Sequence, residues 1–420
     1  MNKTTSARWI FAVCVLLGAC LLLASPAAAV FSGSGTEESP YLIQSEEDMR
    51  TLSEQVDAGS EELRGAWYLL TTDLVLSGEW KPVGLSKAET FYGVFDGNGK
   101  SVRYTIANPK TPYAGLFGSN SGTIRNLIVE AEISGICAEE PLTAGGVAGM
   151  NFQGTIENCR FTTKITAEKV RCAGGVVGYD SAGIIRGCSG TADISVQGSI
   201  TEDVKAGGVV GETTGDVFDC AVLGTVFAEG RNWVYAGGIS GCSMNGQTAG
   251  CTAETDVTAS GSGENLYAGG VAGENHGFVE RCTVKESAVS AVFDGAGQTF
   301  VYAGGLVGRN YAAVYGSETE ADVSSDVSDI RESDMPRKVS LGGAVGQNEE
   351  SGEVSSCTVY GSVSAAGTED VFSDTFVGKN YGTVSDCSSD TGRTAVPESP
   401  LPLFGMVLGG LCAAGVLRRK

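Results

Sequence analysis

Along most of the chain, apolar and small residues fall on every second position for short stretches and then lose step. Cys220, Val222, Gly224, Val226 and Ala228 form one such stretch, and Cys357, Val359, Gly361, Val363 and Ala365 form another. A period of two marks a strand with one buried face. Each stretch is preceded by an Ile or Val three residues before the Cys, as in Ile156 and Cys159 or Ile185 and Cys188. A step of three breaks the alternation. The residue just before the Cys is often Asn158, Gly187, Asp219, Gly250 or Asp386, residue types that tolerate a turn, so a corner is predicted there. Helical periodicity is absent between Tyr113 and Asp390.

These stretches belong to a repeat. The hexapeptide Ala-Gly-Gly-(Val/Ile/Leu)-x-Gly stands at 144–149, 173–178, 206–211, 236–241, 268–273 and 303–308, with diverged copies at 113–118, 341–346 and 373–378. The last glycines of successive copies lie 31, 29, 33, 30, 32, 35, 38 and 32 residues apart. One repeat reads as three strands and three turns: the hexapeptide, the segment ending at the Ile or Val, and the run that begins at the Cys. Such a unit is too small to bury its own inner face, so it must stack on its neighbours. The predicted fold is all-β: a right-handed parallel β-helix of about nine coils, its hand set by the crossover preference of parallel strands. At ~4.8 Å per coil the stack would be about 40 Å long.

The N-terminal part is organised differently. Ser45 followed by Asp48, then Met49, Leu52 and Val56 up to Gly59, predict a short capped amphipathic helix. A helix there would cover the open edge of the first coil, which would otherwise invite aggregation. Residues 30–112 are therefore read as lead-in and cap, and 113–390 as the repeats.

Composition narrows the class. Gly numbers 61 and Pro 10, while 42% of residues are hydrophobic, which suits many tight turns in an ordered chain rather than a flexible linker. Acids outnumber bases 50 to 28, a net charge of −22. That charge argues against nucleic acid as a partner and fits an external surface, cation binding or a salty habitat. Both ends read as targeting segments. Lys3 and Arg8 precede an apolar run from Trp9 to Ala24, and Ala27 and Ala29 give a cleavage site before Val30, so 1–29 are read as a signal peptide. At the other end Val396-Pro397-Glu398-Ser399-Pro400 precedes an apolar stretch to Leu417, and Arg418, Arg419 and Lys420 follow. Residues 391–420 are read as a sorting or membrane-anchor tail that leaves the body outside the cell.

That tail resembles the tripartite sorting signals of PEP-CTERM proteins and their archaeal counterparts, with V-P-E-S-P in place of V-P-E-P. The resemblance implies a sortase-type processing enzyme as a partner. The repeats resemble the GLUG motif, found in bacterial and archaeal surface proteins and near IgA-specific metalloproteases. The resemblance rests on (Ala/Tyr)-Gly-Gly-Leu-Val-Gly-x-Asn followed by Gly-x-Ile/Val-x-x-Cys, with Asn120, Asn151, Asn275, Asn310, Asn348 and Asn380 at the Asn place. The lead-in Gly33–Ile43, Trp67–Leu76 and Phe95–Gly99 fits the same family. It implies a β-helix outside the cell and little about activity.

Candidate chemistry is sparse. Cys159, Cys188, Cys220, Cys251, Cys282, Cys357 and Cys387 share one repeat position, where Leu127 and Ser317 stand in the other copies. Such tolerance favours an inward stack of small side chains, and the spacing lacks the paired C-x₂-C of a zinc site. Cys137, Cys172 and Cys242 lie off this column and could pair. Asp96-Gly97-Asn98-Gly99 has part of a calcium-loop pattern but neither the acidic spacing nor the closing Glu, so a hairpin turn is expected. His276, the one histidine, sits in a turn position, and H-E-x-x-H is absent. No residue set calls for a cofactor or a metal. The binding candidate is an aromatic strip where the repeats vary in length: Tyr235, Tyr267 and Tyr302 hold one place in three successive copies, with Trp233 and Phe300 nearby. Such a strip suits sugar stacking or serves as a structural ladder. Ser324–Ser340, the longest insertion, is expected to project as a mobile loop.

Two functions are weighed. One is a non-catalytic adhesin, envelope component or binding scaffold that engages extracellular glycan or protein. The other is a β-helix enzyme acting on polysaccharide as lyase or hydrolase, which needs carboxylates converging on one face. Glu157, Asp193, Glu254 and Asp256 point outward but are scattered among copies, which favours the first.

Overall fold

The alternation predicted from the sequence becomes strands such as Arg160–Glu168, in which Phe161, Thr163, Ile165 and Ala167 are buried and every second residue is exposed. The computed structural model describes residues 31–138, 140–295, 299–327, 337–366 and 371–389. The proposed signal peptide, its cleavage site and the proposed sorting tail lie outside these residues. Among them no helix is long and apolar enough to cross a membrane.

The chain winds into a parallel β-solenoid of about nine turns, its strands stacked in sheets of 12, 9, 9 and 14 strands. One turn consists of Val204–Gly207, Val210–Thr213, Asp216–Phe218 and Ala221–Gly230. These pair in parallel with Trp233–Gly237, Ser240–Ser243, Gln247–Ala249 and Thr252–Gly261 of the next turn. From Tyr113 onward each turn thus runs through four sheets, one more than the three strands that the sequence suggested. The extra corner lies inside the hexapeptide, at its paired glycines. A Cβ on Gly207 would stand 2.1 Å from Val210 O, and one on Gly208 would stand 2.2 Å from Gly238 O. The chain bends so sharply there that backbone meets backbone, within its own coil and with the next, and only glycine leaves room.

The corner before the Cys is as expected. Asn158, Asp219, Arg281, Ser356 and Asp386 all have φ between 50° and 54°, and Gly187 and Gly250 take 62° and 67°. Left-handed backbone here turns the chain from the third strand into the fourth.

The thiols of the Cys column point inward. Cys159 to Cys357 are buried, Cys387 is half-buried, and all are free. Each Sγ lies against the carbonyl two residues earlier and a carbonyl of the preceding coil; for Cys220 these are Phe218 O at 3.3 Å and Ile185 O at 3.9 Å. Ser317 keeps the pattern by donating to Tyr315 O at 3.0 Å and accepting from Cys282 N–H at 3.1 Å. Cys137, Cys172 and Cys242 are likewise buried and unpaired.

A second buried ladder crosses the solenoid at the Asn place. Asn120 Nδ2 donates to Asn151 Oδ1 and Asn151 Nδ2 to Asp180 Oδ1, both at 2.7 Å. Further along, Asn275, Asn310, Asn348 and Asn380 continue it at 2.8 to 2.9 Å. A planar amide donates to the coil above and accepts from the coil below, so identical side chains satisfy one another.

The lead-in joins the stack, since Tyr41–Ile43, Trp67–Leu70 and Val94–Asp96 extend the 12-stranded sheet. The helix runs from Glu46 to Asp57, with Ser45 accepting from Asp48 N–H and with Met49, Leu52 and Val56 buried. Asp48 Oδ2 in turn accepts from Gln44 N–H at 2.9 Å, one residue earlier than in the usual reciprocal cap. The Asp96 turn is closed by its own surroundings. Asp96 accepts from Asn98 N–H, Asn126 Nδ2 and Arg125 Nε, which hold its carboxyl below the usual range against the opposing effect of burial.

Candidate functional site

The fourth corner creates a feature that repeat counting misses. Because the hexapeptide folds on itself at Gly-Gly, its two strands meet at a tight concave angle on the outside of the solenoid. Glycines form the floor: a Cβ on Gly211 would stand 2.6 Å from Gly178 O. Side chains flanking that floor rise as two walls of a groove that runs along the stack.

One wall is the residue before each hexapeptide alanine. In register these are Thr143, Cys172, Lys205, Tyr235, Tyr267, Tyr302, Ser340 and Phe372. The other wall is the residue between the last glycine and the Asn place: Met150, Tyr179, Glu212, Cys242, Glu274, Arg309, Gln347 and Lys379. The walls touch. Lys205 Nζ lies 3.0 Å from Glu212 Oε2, Cys172 Sγ lies 3.6 Å from the same oxygen, and the Arg309 guanidinium covers the Tyr302 ring at 5.1 Å. In mid-groove Tyr235, Tyr267, Tyr302 and Cys242 form a small apolar cluster separate from the main core.

The aromatic strip therefore has a different environment from the one that sugar stacking requires. Tyr235 and Tyr267 stack with centroids 4.5 Å apart and planes 5° apart, and Tyr267 and Tyr302 stack at 5.2 Å and 19°. They are only 3%, 0% and 5% exposed. Tyr267 has no open face, because Tyr235 and Tyr302 cover both sides of it, and the Lys205 ammonium lies 5.7 Å from the Tyr235 ring centroid. Mid-groove they form a structural ladder; a ligand surface would have to lie at its ends. Burial raises the phenols above their ordinary range, Tyr302 to about 12. It raises the Cys172 thiol to about 12 as well, with the Glu212 carboxylate adding to the effect. Trp233, 37% exposed, lies on the rim and donates from Nε1 to Glu264 Oε2 at 2.8 Å.

Cavities open where the ladder ends. Towards the N-terminal side, about 350 Å³ is bounded by Arg171, Glu202, Asp203, Lys205 and Asn232. Here Lys205 is paired with Glu212 at 3.0 Å, Asp203 accepts from Asn232 Nδ2 at 2.6 Å, and the Arg171 guanidinium lies over the Tyr179 ring. Towards the C-terminal side, about 280 Å³ is bounded by Phe300, Tyr302, Arg309, Lys338, Lys379 and Tyr381, with Asn265 and Gln347 completing the lining.

The remaining candidates are dispersed. His276 stacks on Tyr311 with centroids 4.3 Å apart, and its Nε2 lies 3.6 Å from Glu274 Oε1. Glu157 pairs with Arg186 at 2.6 Å on the 12-stranded sheet. Asp193, Glu254 and Asp256 stand on the 14-stranded sheet, where Asp193 accepts from Thr225 Oγ1 and Asp256 from Ala288 N–H. The structure does not bring these four carboxylates to the groove, whereas His276 reaches its wall at Glu274. The Ser324–Ser340 segment starts and ends in strands, Asp322–Asp326 and Arg337–Gly342, so pairing claims both ends of what was expected to be a loop; residues 328–336 lie outside the described residues. The second wall was legible only as a variable column between Gly and Asn. Nothing in the sequence marked it as facing the tyrosines.

No protein-family model matches the chain. A stretch of 202 residues, 45% of the chain, is 28% identical to Halomucin of Haloquadratum walsbyi, and it corresponds to 2% of that protein's length. A solved structure of a candidate immunoglobulin A1 protease from Bacteroides ovatus aligns over 85% of this chain and 88% of its own, with 19% identity and a TM-score of 0.41.

Proposed function

We propose that the chain is a non-catalytic β-solenoid displayed on the cell surface, which binds an extracellular polysaccharide through the outer groove of its coils. The observation that carries this reading is the C-terminal end of the groove. There a cavity of about 280 Å³ combines aromatic rims with amide and cationic donors on a rigid parallel scaffold. Sugar sites need that pairing: flat apolar surface for C–H faces and fixed polar groups for hydroxyls. Surface display is supported by the signal-like and tail-like ends, the net charge of −22, the resemblance of the repeats to GLUG proteins and the similarity to a stretch of Halomucin, a mucin by its name. The anchor would be the C-terminal tail after processing by a sortase-type enzyme.

The test has two arms. Antibodies against the repeats should stain intact cells as strongly as permeabilised ones. On a glycan array the full chain should retain a defined set of polysaccharides, and Phe300→Ala with Tyr381→Ala should abolish retention while circular dichroism stays unchanged. Staining only after permeabilisation, or retention unaltered by the rim substitutions, would overturn the proposal.

A further inference from the structure

The tyrosine ladder stops before the solenoid does. Tyr235, Tyr267 and Tyr302 are followed in register by Ser340 and then Phe372. A serine cannot fill the volume of a stacked ring, and the C-terminal cavity opens at this end of the ladder. Across the groove the wall changes character at the same coils. Glu212 and Glu274 give way to Arg309, Gln347 and Lys379, while the neighbouring rim column passes from Trp233, Asn265 and Phe300 to Lys338.

Three cations therefore gather around one cavity in a chain whose net charge is −22. Their pairing is uneven. Arg309 is held by Glu349 at 2.6 Å, and Gln347 Nε2 donates to the same carboxylate. Lys338 and Lys379 have no carboxylate partner among the described residues. Their described neighbours are rings: Lys338 Nζ lies 6.0 Å from the Phe300 centroid, and Lys379 Nζ lies 4.8 Å from Phe372 and 4.9 Å from Tyr381. On the cavity wall, Asn265 Oδ1 is buried with no hydrogen-bond partner. Two ammonium groups without carboxylate partners among the described residues, exposed aromatic edges (Tyr381 is 51% exposed) and the buried Asn265 Oδ1 acceptor make a lining suited to an anion and a hydroxyl donor.

We infer that the C-terminal end of the groove binds an anionic sugar residue, its carboxylate or sulfate taken by Lys338 and Lys379 and its ring lying against the Phe300 and Tyr381 rim. Asn265 Oδ1 accepts from a sugar hydroxyl. The local positive field of two ammonium groups without carboxylate partners among the described residues, set in a chain of net charge −22, favours an anionic ligand at this cavity. The inference rests on the reading of the groove as a glycan-binding face.

The experiment uses the full chain. Binding is titrated calorimetrically with oligogalacturonate and 3′-sialyllactose as carboxylated probes, a chondroitin sulfate oligosaccharide as the sulfated probe, and cellohexaose and lactose as neutral controls. At least one anionic probe should bind tenfold or more tightly than the neutral ones, weakening as salt rises. Lys338→Gln with Lys379→Gln should remove at least tenfold of that affinity, Lys379→Arg alone should retain it, and Trp233→Ala at the far rim should leave it unchanged. Which anionic arm binds decides between carboxylate and sulfate. Unchanged affinity in the double lysine variant, or a poly-glutamate peptide binding as well as the sugars, would overturn the inference. If neutral glycans bind equally and are lost in Phe300→Ala with Tyr381→Ala, the groove reading stands and the charge selection falls. If no glycan of either kind binds, both fall.

Discussion

Asp180 takes the place that asparagine holds in six other coils, and its carboxyl is buried between Asn151 of one neighbouring coil and Thr213 of the other. Asn151 Nδ2 donates to Oδ1 at 2.7 Å and Thr213 Oγ1 to Oδ2 at 2.9 Å. Those bonds do not offset the loss of water, so burial raises the carboxyl from 3.8 to about 6. The sign of the stability effect follows. Between pH 4 and 6 the folded chain keeps a proton that the unfolded chain has released, so stability falls as pH rises through that window and then levels off. A shift of roughly two pH units corresponds to about 3 kcal/mol, at about 1.4 kcal/mol per unit. Asp180→Asn removes that cost. Its Oδ1 would accept from Asn151, while its Nδ2 would donate to Thr213 Oγ1. Thr213 would then direct its own hydroxyl to Gly215 O, already 3.2 Å away. Urea unfolding followed by far-ultraviolet circular dichroism at pH 4 and pH 8 measures the change. The variant should be more stable by about 2–3 kcal/mol at pH 8 and nearly equal to the parent at pH 4. Titrations of the other carboxylates are common to both chains and cancel in the difference. A gain of equal size at both pH values, or a variant less stable at pH 8, would show that this carboxyl carries no such burden.

Three further outcomes follow from the packing. Gly208→Ala would place a Cβ 2.2 Å from Gly238 O, forcing adjacent coils apart; a loss of about 3 kcal/mol or an insoluble product is expected, against about 1–2 kcal/mol for alanine at Gly59, where a Cβ would meet nothing, but the φ of 78° strains an L residue. Thiol labelling of the native chain at pH 8, read by mass spectrometry, should modify half-buried Cys387 and spare the other nine described cysteines until denaturant is added. Burial that raises Cys357 to about 12 leaves too little thiolate to react. Glu212→Gln should cost about 2–4 kcal/mol by leaving the Lys205 ammonium without its carboxylate in the groove wall, whereas Glu212→Leu with Lys205→Met should recover most of the loss in the same unfolding assay.

What the sequence by itself determined was set by local rules repeated nine times. The alternation after each Cys placed Phe161, Ile165 and Ala167 inside, the Asn, Asp or Gly before it placed the left-handed corner, and Ser45 with Met49, Leu52 and Val56 placed the start and the buried face of the helix, which ends at Asp57, two residues before Gly59. Period, turn chemistry and capping act over a few residues, so one copy reveals them and the others repeat them. Only the tertiary structure decided the rest. Whether Gly207 and Gly208 continue a strand or break it depends on the carbonyls of Val210 and Gly238 pressing against them, and Gly238 belongs to another coil. That corner brought Lys205 to Glu212 and Arg309 to Tyr302, residues seven apart in sequence that periodicity places on unrelated strands. The tyrosines were legible as a column but not as a closed stack, because exposure is set by what stands at coil spacing above and below. The cavity lies where Ser340 ends that stack in register, and its lining from Asn265 through Phe300 and Lys338 to Lys379 comes from four successive coils, a conjunction that no single repeat contains.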